Sequence, residues 1–181
     1  LNELKRLLEV QYTPQGELVE GSEDQTSRLV AIARDPSKLG DSGVEVRQGD
    51  YGSVEQMQQA FAGIDTVVLV SAPAGVGDRV ALHRNVIKAA VAAGVRKVIY
   101  TSVIGNGDEM QTMYAPMAEV NRQAEQDLQQ SGLTWIAARN GLYLEFDVAH
   151  ILNAAADGVF RNNGGEGYCA YITRSELALA F

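Results

Sequence analysis

The stretch TVVLVSAPAGVGDRVALHRNVIKAAVAAGVRKVIYTS, Thr66–Ser102, decides the fold. It opens on TVVLVS, a run of β-branched and apolar residues that ends at Ser71 in a Pro- and Gly-bearing turn. It then changes period: DRVALHRNVIKAAVAAG sets Val80, Ile87, Ala90 and Val91 on one helical face and stops at Gly94. KVIYTS, 97–102, returns to strand composition. A strand, a helix and a strand within this length predict two parallel strands joined by a right-handed crossover. Most of the strand runs are apolar on both faces, so they are expected to be covered on both sides.

Outward from this unit the pattern repeats. LVAIA (29–33) and VEVRQ (44–48) precede it as strands, and TWIAAR (134–139) follows. SVEQMQQAFAG reads as a helix opened by a capping box, Ser53 with Gln56; it puts Val54, Met57 and Phe61 on one face and stops at Gly63. MAEVNRQAEQDLQQSG supplies another from about Met117 to Gly132. The fold class is therefore α/β, a doubly wound, Rossmann-like parallel sheet, with residues 1–181 expected to form a single domain. A glycine-rich turn after a first strand is missing from the sequence, and LNELKRLLEVQ already reads as a helix with Leu1, Leu4, Leu7 and Leu8 on one face. The domain is thus expected to begin inside its first crossover helix, after the first strand, and to stop soon after the sixth: TRSELALAF starts a helix with a capping box, Thr173 with Glu176, that ends within about two turns. Residues 12–27, YTPQGELVEGSEDQTS, are longer than an ordinary connection and read as an exposed insertion.

Composition excludes several classes. The 181 residues are 46% hydrophobic and carry a formal charge of -8, with no basic patch, which argues against a nucleic acid partner. No apolar run reaches the roughly 18 residues of a membrane span. A lone cysteine, Cys169, makes no internal disulfide and fits a reducing, cytoplasmic setting. His83, His150 and Cys169 show no metal spacing, so no metal site is expected, and His83 reads as an ordinary helix residue.

Open parallel sheets bind ligands at the carboxyl ends of their strands. Five strand ends here carry Arg34 and Asp35; Gly49, Asp50 and Tyr51; Ser71, Ala72 and Pro73; Thr101 and Ser102; and Asn140, Gly141 and Tyr143. In a dinucleotide fold an acid closing the second strand bonds the ribose 2′-hydroxyl, whereas an arginine accommodates a 2′-phosphate. Arg34 favours NADP over NAD; the plainer reading is a solvated arginine before a turn.

VAIARDPSKL, GVEVRQGDYGS, AFAGIDTVVLVSAP, HRNVIKAAVAAGVRKVIYTS, EQDLQQSGLTWIAARNGLYLE and GVFRNNGGEGYCAYITRSELA, in this order, resemble the NmrA-like atypical short-chain dehydrogenase/reductase family, most closely its NADPH-dependent quinone oxidoreductase branch. The resemblance implies that Arg34 meets the 2′-phosphate of NADPH, that Asp50 and Tyr51 border the adenine, and that Ser71, Ala72 and Pro73 line the ribose and nicotinamide side. It further implies that Asn140, Gly141, Leu142, Tyr143, Leu144 and Glu145 wall the nicotinamide and acceptor pocket, with Asn140 and Tyr143 acting at the acceptor, and that Arg174 closes over the cofactor. The expected partners are a small-molecule acceptor, a quinone by this resemblance, and a second copy of the chain as a homodimer, with neither nucleic acid nor membrane.

The acid–base pair common in short-chain dehydrogenases, Tyr-x-x-x-Lys, is missing: Tyr114 is followed four residues on by Ala118, and Tyr100 by Ile104. Ser102 without such partners reads as structural. A quinone dispenses with the acid, because its reduced anion is delocalised and takes a proton from water, while the cofactor carries the chemistry. The activity expected is hydride transfer from NADPH to a quinone or similar electrophile. The competing expectation is a redox-sensing regulator that binds NADP(H) without turnover and acts through a protein partner.

Overall fold

The computed structural model describes residues 10–12, 18–20, 29–40, 43–105, 107, 109–160 and 169–180. In chain order its elements are β1 (Val10–Tyr12), β2 (Leu18–Glu20), β3 (Val30–Ala33), β4 (Glu45–Gln48), α1 (Val54–Ala60), β5 (Thr66–Leu69), α2 (Arg79–Ala93), β6 (Lys97–Val103), α3 (Ala115–Gln130), β7 (Thr134–Asn140), β8 (Leu142–Tyr143), α4 (Val148–Asp157), β9 (Tyr171–Ile172) and α5 (Arg174–Ala180). Every strand and helix expected between Leu29 and Gly132 is present, and TWIAAR runs one residue further, to Asn140.

The parallel strands form two ladders. One pairs β3 with β4, from Val30 opposite Glu45 to Ala33 opposite Gln48; the other orders β5, β6 and β7, with Val68, Ile99 and Ile136 side by side. Among the described residues β3 has no strand beyond β4 and β5 none beyond β6, so the two ladders face each other across an interval that no described strand fills. The interval lies where the sequence expects the first strand.

The helices bridge it on one face. α1 packs on α2 and α2 on α3, and beneath them Met57, Phe61, Val67, Leu69, Val86, Val98, Tyr100 and Leu128 form one buried cluster. Each such side chain contributes on the order of 1.5–3 kcal/mol on burial. α1 is capped by the Ser53 hydroxyl, which accepts from the Gln56 N–H, but the capping box is only half made, because the Ser53 N–H goes to the Asp50 carbonyl. Arg47 on β4 donates to the Ala60 and Ala62 carbonyls, placing a cation at the helix's negative end. Gly94 ends α2 in the left-handed region, as expected.

Four expectations need correction or fall outside this description. Val91 is 46% exposed, not inward; the buried stripe of α2 is His83, Val86, Ile87 and Ala90, an i, i+3, i+4, i+7 series that includes a polar member. The opposite face of the second ladder is open: Val68 and Ile136, side by side in register with Ile99, are 38% and 49% exposed, so apolarity on both faces did not mean cover on both. Val10 and Gln11, expected to close a helix, belong to a strand that pairs antiparallel with Leu18–Glu20, a structure their β-branched and aromatic setting favours over helix. The remainder of the expected first helix, residues 1–9, and most of the expected insertion at 12–27 lie outside the described residues.

Gly49 shows how tightly the first ladder meets α1. A Cβ there would sit 2.7 Å from Ile32 Cγ2 and 2.9 Å from Met57 Sδ. The isoleucine methyl is branched at Cβ and yields little, so Gly49→Ala is expected to destabilise the fold by about 1–3 kcal/mol. Denaturant melts measure this, and an unchanged midpoint would show that Ile32 and Met57 give way freely.

Candidate functional site

At the carboxyl end of β3, Arg34 is exposed, and among the described residues its guanidinium has no partner. The adjacent acid is occupied elsewhere: Asp35 accepts from the N–H and the hydroxyl of Ser37, capping the short 3-10 turn Pro36–Leu39. Local capping thus turns Asp35 away from the arginine. After β4, Asp50 accepts from the Gly52 N–H, and Tyr51 reaches across the interval to donate its hydroxyl to the Val70 carbonyl at 3.1 Å. Burial pushes the Tyr51 hydroxyl up to about 12, so it is a neutral donor, and Asn85 on α2 holds the Tyr51 carbonyl.

The expected strand TVVLVS leaves its ladder after Leu69 because side chains take over its backbone. The Ser71 N–H donates to Thr101 Oγ1 at 2.8 Å, the Ala72 N–H to His83 Nε2 at 2.8 Å, and the Ala72 carbonyl accepts from Arg79 Nε at 2.7 Å. A cavity of about 520 Å³ opens between the two ladders, lined by Arg34, Asp50, Tyr51, Ser71, Ala72 and Pro73 with Ile32, Val70 and Leu82 as apolar wall. The six cofactor-side residues expected before Asn140 are therefore brought together.

The residues expected to follow them do not line this cavity. Asn140 ends β7 buried, its amide 3.2 Å from the Tyr143 hydroxyl, and Tyr143 stacks on Phe146 with ring centroids 5.7 Å apart. Phe146 is 71% exposed, so the pair presents an aromatic face to solvent. Gly141 allows β8 to meet β9: a Cβ there would collide with the Ala170 carbonyl, and the Leu142 N–H donates to that same oxygen. Leu142 is exposed and Leu144 half-buried. Glu145 and Arg174 engage each other, the Arg174 N–H donating to the Glu145 carboxylate at 2.8 Å with the guanidinium 3.7 Å away, which holds Arg174 beside this segment. The capping box of Thr173 with Glu176 forms in both directions.

Between cavity and β7 lies a buried polar layer that was not foreseen. Ser71, Tyr100 and Asn121 share hydrogen bonds, with the Tyr100 hydroxyl donating to Asn121 Oδ1 at 2.8 Å. Ser102 donates to Glu125 at 2.6 Å, and Glu125 also binds Arg122 and Arg139, while Arg122 continues to Glu109. The Ser102 hydroxyl thus has its proton committed to a carboxylate. Burial pushes the Glu125 carboxyl up, but the bonds from Arg139 and Ser102 and the nearby guanidinium charges outweigh it and hold it below the usual range. The signal for this layer is polar residues where helical period calls for apolar ones: His83 on α2, and Asn121 with Glu125 on α3. Among the described residues there is no cluster of metal-ligating side chains, and no helix is long and apolar enough to cross a membrane.

A parallel sheet with a cleft at the carboxyl ends of its strands, and an exposed arginine after one of them, defines a dinucleotide-binding α/β fold. The family described as NAD(P)H-binding is matched over residues 16–177, and the chain belongs to it. It is similar to quinone oxidoreductase 2 of Escherichia coli, 38% identical over 157 residues that cover 85% of this chain and 53% of the relative. An NmrA-like family domain-containing oxidoreductase of Aspergillus flavus is 30% identical, covering 79% of this chain and 47% of the relative. Among solved structures, triphenylmethane reductase of Citrobacter sp. complexed with NADP(H) superposes with a TM-score of 0.77 at 32% identity, over 99% of this chain and 59% of that one. The Escherichia coli quinone oxidoreductase complexed with NADPH superposes at 0.72 and 37%, covering 84% of this chain and 53% of that one. The chain thus spans about half the length of the curated relatives it matches.

Because the folded Glu125 carboxyl is held below its unfolded value, its contribution to stability is complete above the ordinary carboxylate pKa of about 4.3 and is lost as pH falls through the folded value. Glu109, held down to about 2 by its own backbone N–H and by Arg122, adds in the same direction. Glu125→Gln should lower the melting temperature at neutral pH, by leaving Arg139 and Arg122 short of a partner, and should flatten its fall below about pH 4.5. Melting curves across that window decide it; an acid slope identical to wild type would remove Glu125 from the account.

Proposed function

We propose that this chain carries the NADPH site of an oxidoreductase that reduces a quinone or a similar electrophile. The observation that carries the reading is the cleft between the ladders, with an unpaired guanidinium at one end and the fixed Ser71–Pro73 segment at the other. Its residues fit the cofactor. Arg34 has free donors for a 2′-phosphate, Asp50 and Tyr51 flank the adenine end, and Ser71–Pro73 supply a rigid lip for the ribose and nicotinamide. The NADP(H) complexes of the similar Citrobacter reductase and Escherichia coli quinone oxidoreductase support the choice of cofactor.

When bound, NADPH supplies the hydride that reduces the acceptor. The chain's own residues orient and exclude water. Tyr143 and Phe146 offer a stacked aromatic surface suited to a flat conjugated ring, and Asn140 steadies Tyr143 through its hydroxyl. Among the described residues no tyrosine is paired with a lysine: Ser102 and the buried Tyr100 donate elsewhere, Tyr114 lies exposed at the start of α3, and the Tyr143 hydroxyl accepts from Asn140. Water protonates the reduced quinone. The same engagement of Ser102 and Tyr100 favours, as a second reading, an NADP(H)-binding regulator without turnover.

In the full-length protein, Arg34→Ala should weaken NADPH roughly tenfold or more, since a charge-assisted phosphate contact is worth on the order of 1.5–3 kcal/mol, and should barely change NADH. Equal losses for the two cofactors contradict the placement of the 2′-phosphate. NADPH oxidation with and without a simple quinone separates the two readings: binding with no quinone-dependent consumption favours the regulator.

A further inference from the structure

Residue 83 interrupts an otherwise apolar stripe with a histidine that solvent does not reach. Its Nε2 receives the Ala72 N–H at 2.8 Å, its ring meets the edge of Tyr100 at 5.5 Å, and its Nδ1 is buried with no hydrogen-bond partner among the described residues. Arg79, one helical turn earlier on α2, takes the Ala72 carbonyl at 2.7 Å and the Ser71 hydroxyl at 3.0 Å. Two side chains at i and i+4 therefore hold both backbone polar groups of one buried residue that lines the cleft. No strand neighbour does this work, since the ladder has ended at Leu69.

We propose that His83 is a positioning residue for the nicotinamide side of the cleft: as a neutral imidazole it keeps the Ala72 N–H turned into the protein, which fixes the Ser71–Pro73 lip. This rests on the cofactor reading above. An imidazole nitrogen accepts an N–H only through its lone pair, so the ring must be uncharged and must carry its proton on Nδ1. The surroundings enforce that form: burial first, and then the adjacent Arg79 charge, hold the His83 pKa down to about 4. Nδ1 goes without a partner, and that is the cost of keeping the accepting nitrogen on Ala72. Without the acceptor, the Ala72 peptide would be left buried and unsatisfied, and would turn to find water in the cleft.

The test uses the full-length protein and two ligands, NADPH and 2′,5′-ADP, the latter occupying only the adenine and 2′-phosphate end. His83→Phe keeps an aromatic ring beside Tyr100 but offers no acceptor; His83→Gln offers a carbonyl oxygen. The expected result is that His83→Phe weakens NADPH about tenfold while 2′,5′-ADP binding stays within about twofold, and that His83→Gln restores most of the loss. In wild-type protein, nitrogen NMR of the His83 ring should show Nδ1 protonated and Nε2 bare, and the Ala72 amide should be protected from exchange. Equal weakening of both ligands, unchanged NADPH binding in His83→Phe, or a proton on Nε2 would each overturn the proposal. If His83→Phe does not fold, His83→Gln and the ring nitrogens decide instead. Wild-type protein that binds neither ligand would sink the cofactor reading, while the His83 and Ala72 spectra would still report on the latch.

Discussion

Where β5 ends, the chain must satisfy Val70, Ser71 and Ala72 without a strand on one side of them, and four side chains from three surrounding segments do so. Tyr51 supplies the hydroxyl for the Val70 carbonyl, Thr101 accepts the Ser71 N–H, and His83 and Arg79 hold the two ends of Ala72. An unpaired buried backbone group costs about as much as a lost hydrogen bond, so each of these contacts is worth having on stability grounds alone. Together they also do something a strand neighbour would not. They stop the ladder short, turn the chain out over the end of the sheet, and leave the space between the ladders open.

The cleft follows from that substitution. The side of the cleft that carries Arg34 and Asp50 comes from β3 and β4, which share no hydrogen-bonded ladder with β5, and the two halves are joined by Tyr51, by Asn85 and by the packing of α1 on α2. The end of β7 is set by a second device, the ionic layer around Glu125, which ties α3 to it through Arg139 and to Val103 through Arg122. One device fixes Ser71–Pro73 and the other fixes Asn140–Tyr143. The two meet at the strand β6, whose Thr101 serves the first and whose Ser102 serves the second.

Most of the parallel fold was legible, because strands of β-branched residues and helices opened by Ser53 or closed by Gly94 announce themselves locally. The grouping of Arg34, Asp50, Tyr51 and Ser71–Pro73 was legible too, since topology alone brings carboxyl ends of parallel strands to one edge. What stayed hidden depends on partners distant in sequence. His83 reads as an ordinary helix residue until Ala72, eleven positions away, is placed on it, and Glu125 is an unremarkable acid until Arg139 and Ser102 converge. Val91 misled because apolar residues on a helix edge carry the same periodic signal as those at its centre, and only the position of His83 shows where the centre lies.

The central claim is that a dinucleotide lies across this cleft with its phosphate end at Arg34 and its reactive end on the Ser71–Pro73 lip. The most direct measurement is a crystal structure of the full-length protein with NADPH bound. It should place the 2′-phosphate within hydrogen-bond reach of the Arg34 guanidinium and the nicotinamide ribose against Ser71–Pro73, with the Ala72 N–H still directed at His83. A dinucleotide seated at the opposite edge of the sheet, or one whose 2′-phosphate lies away from Arg34, would contradict it.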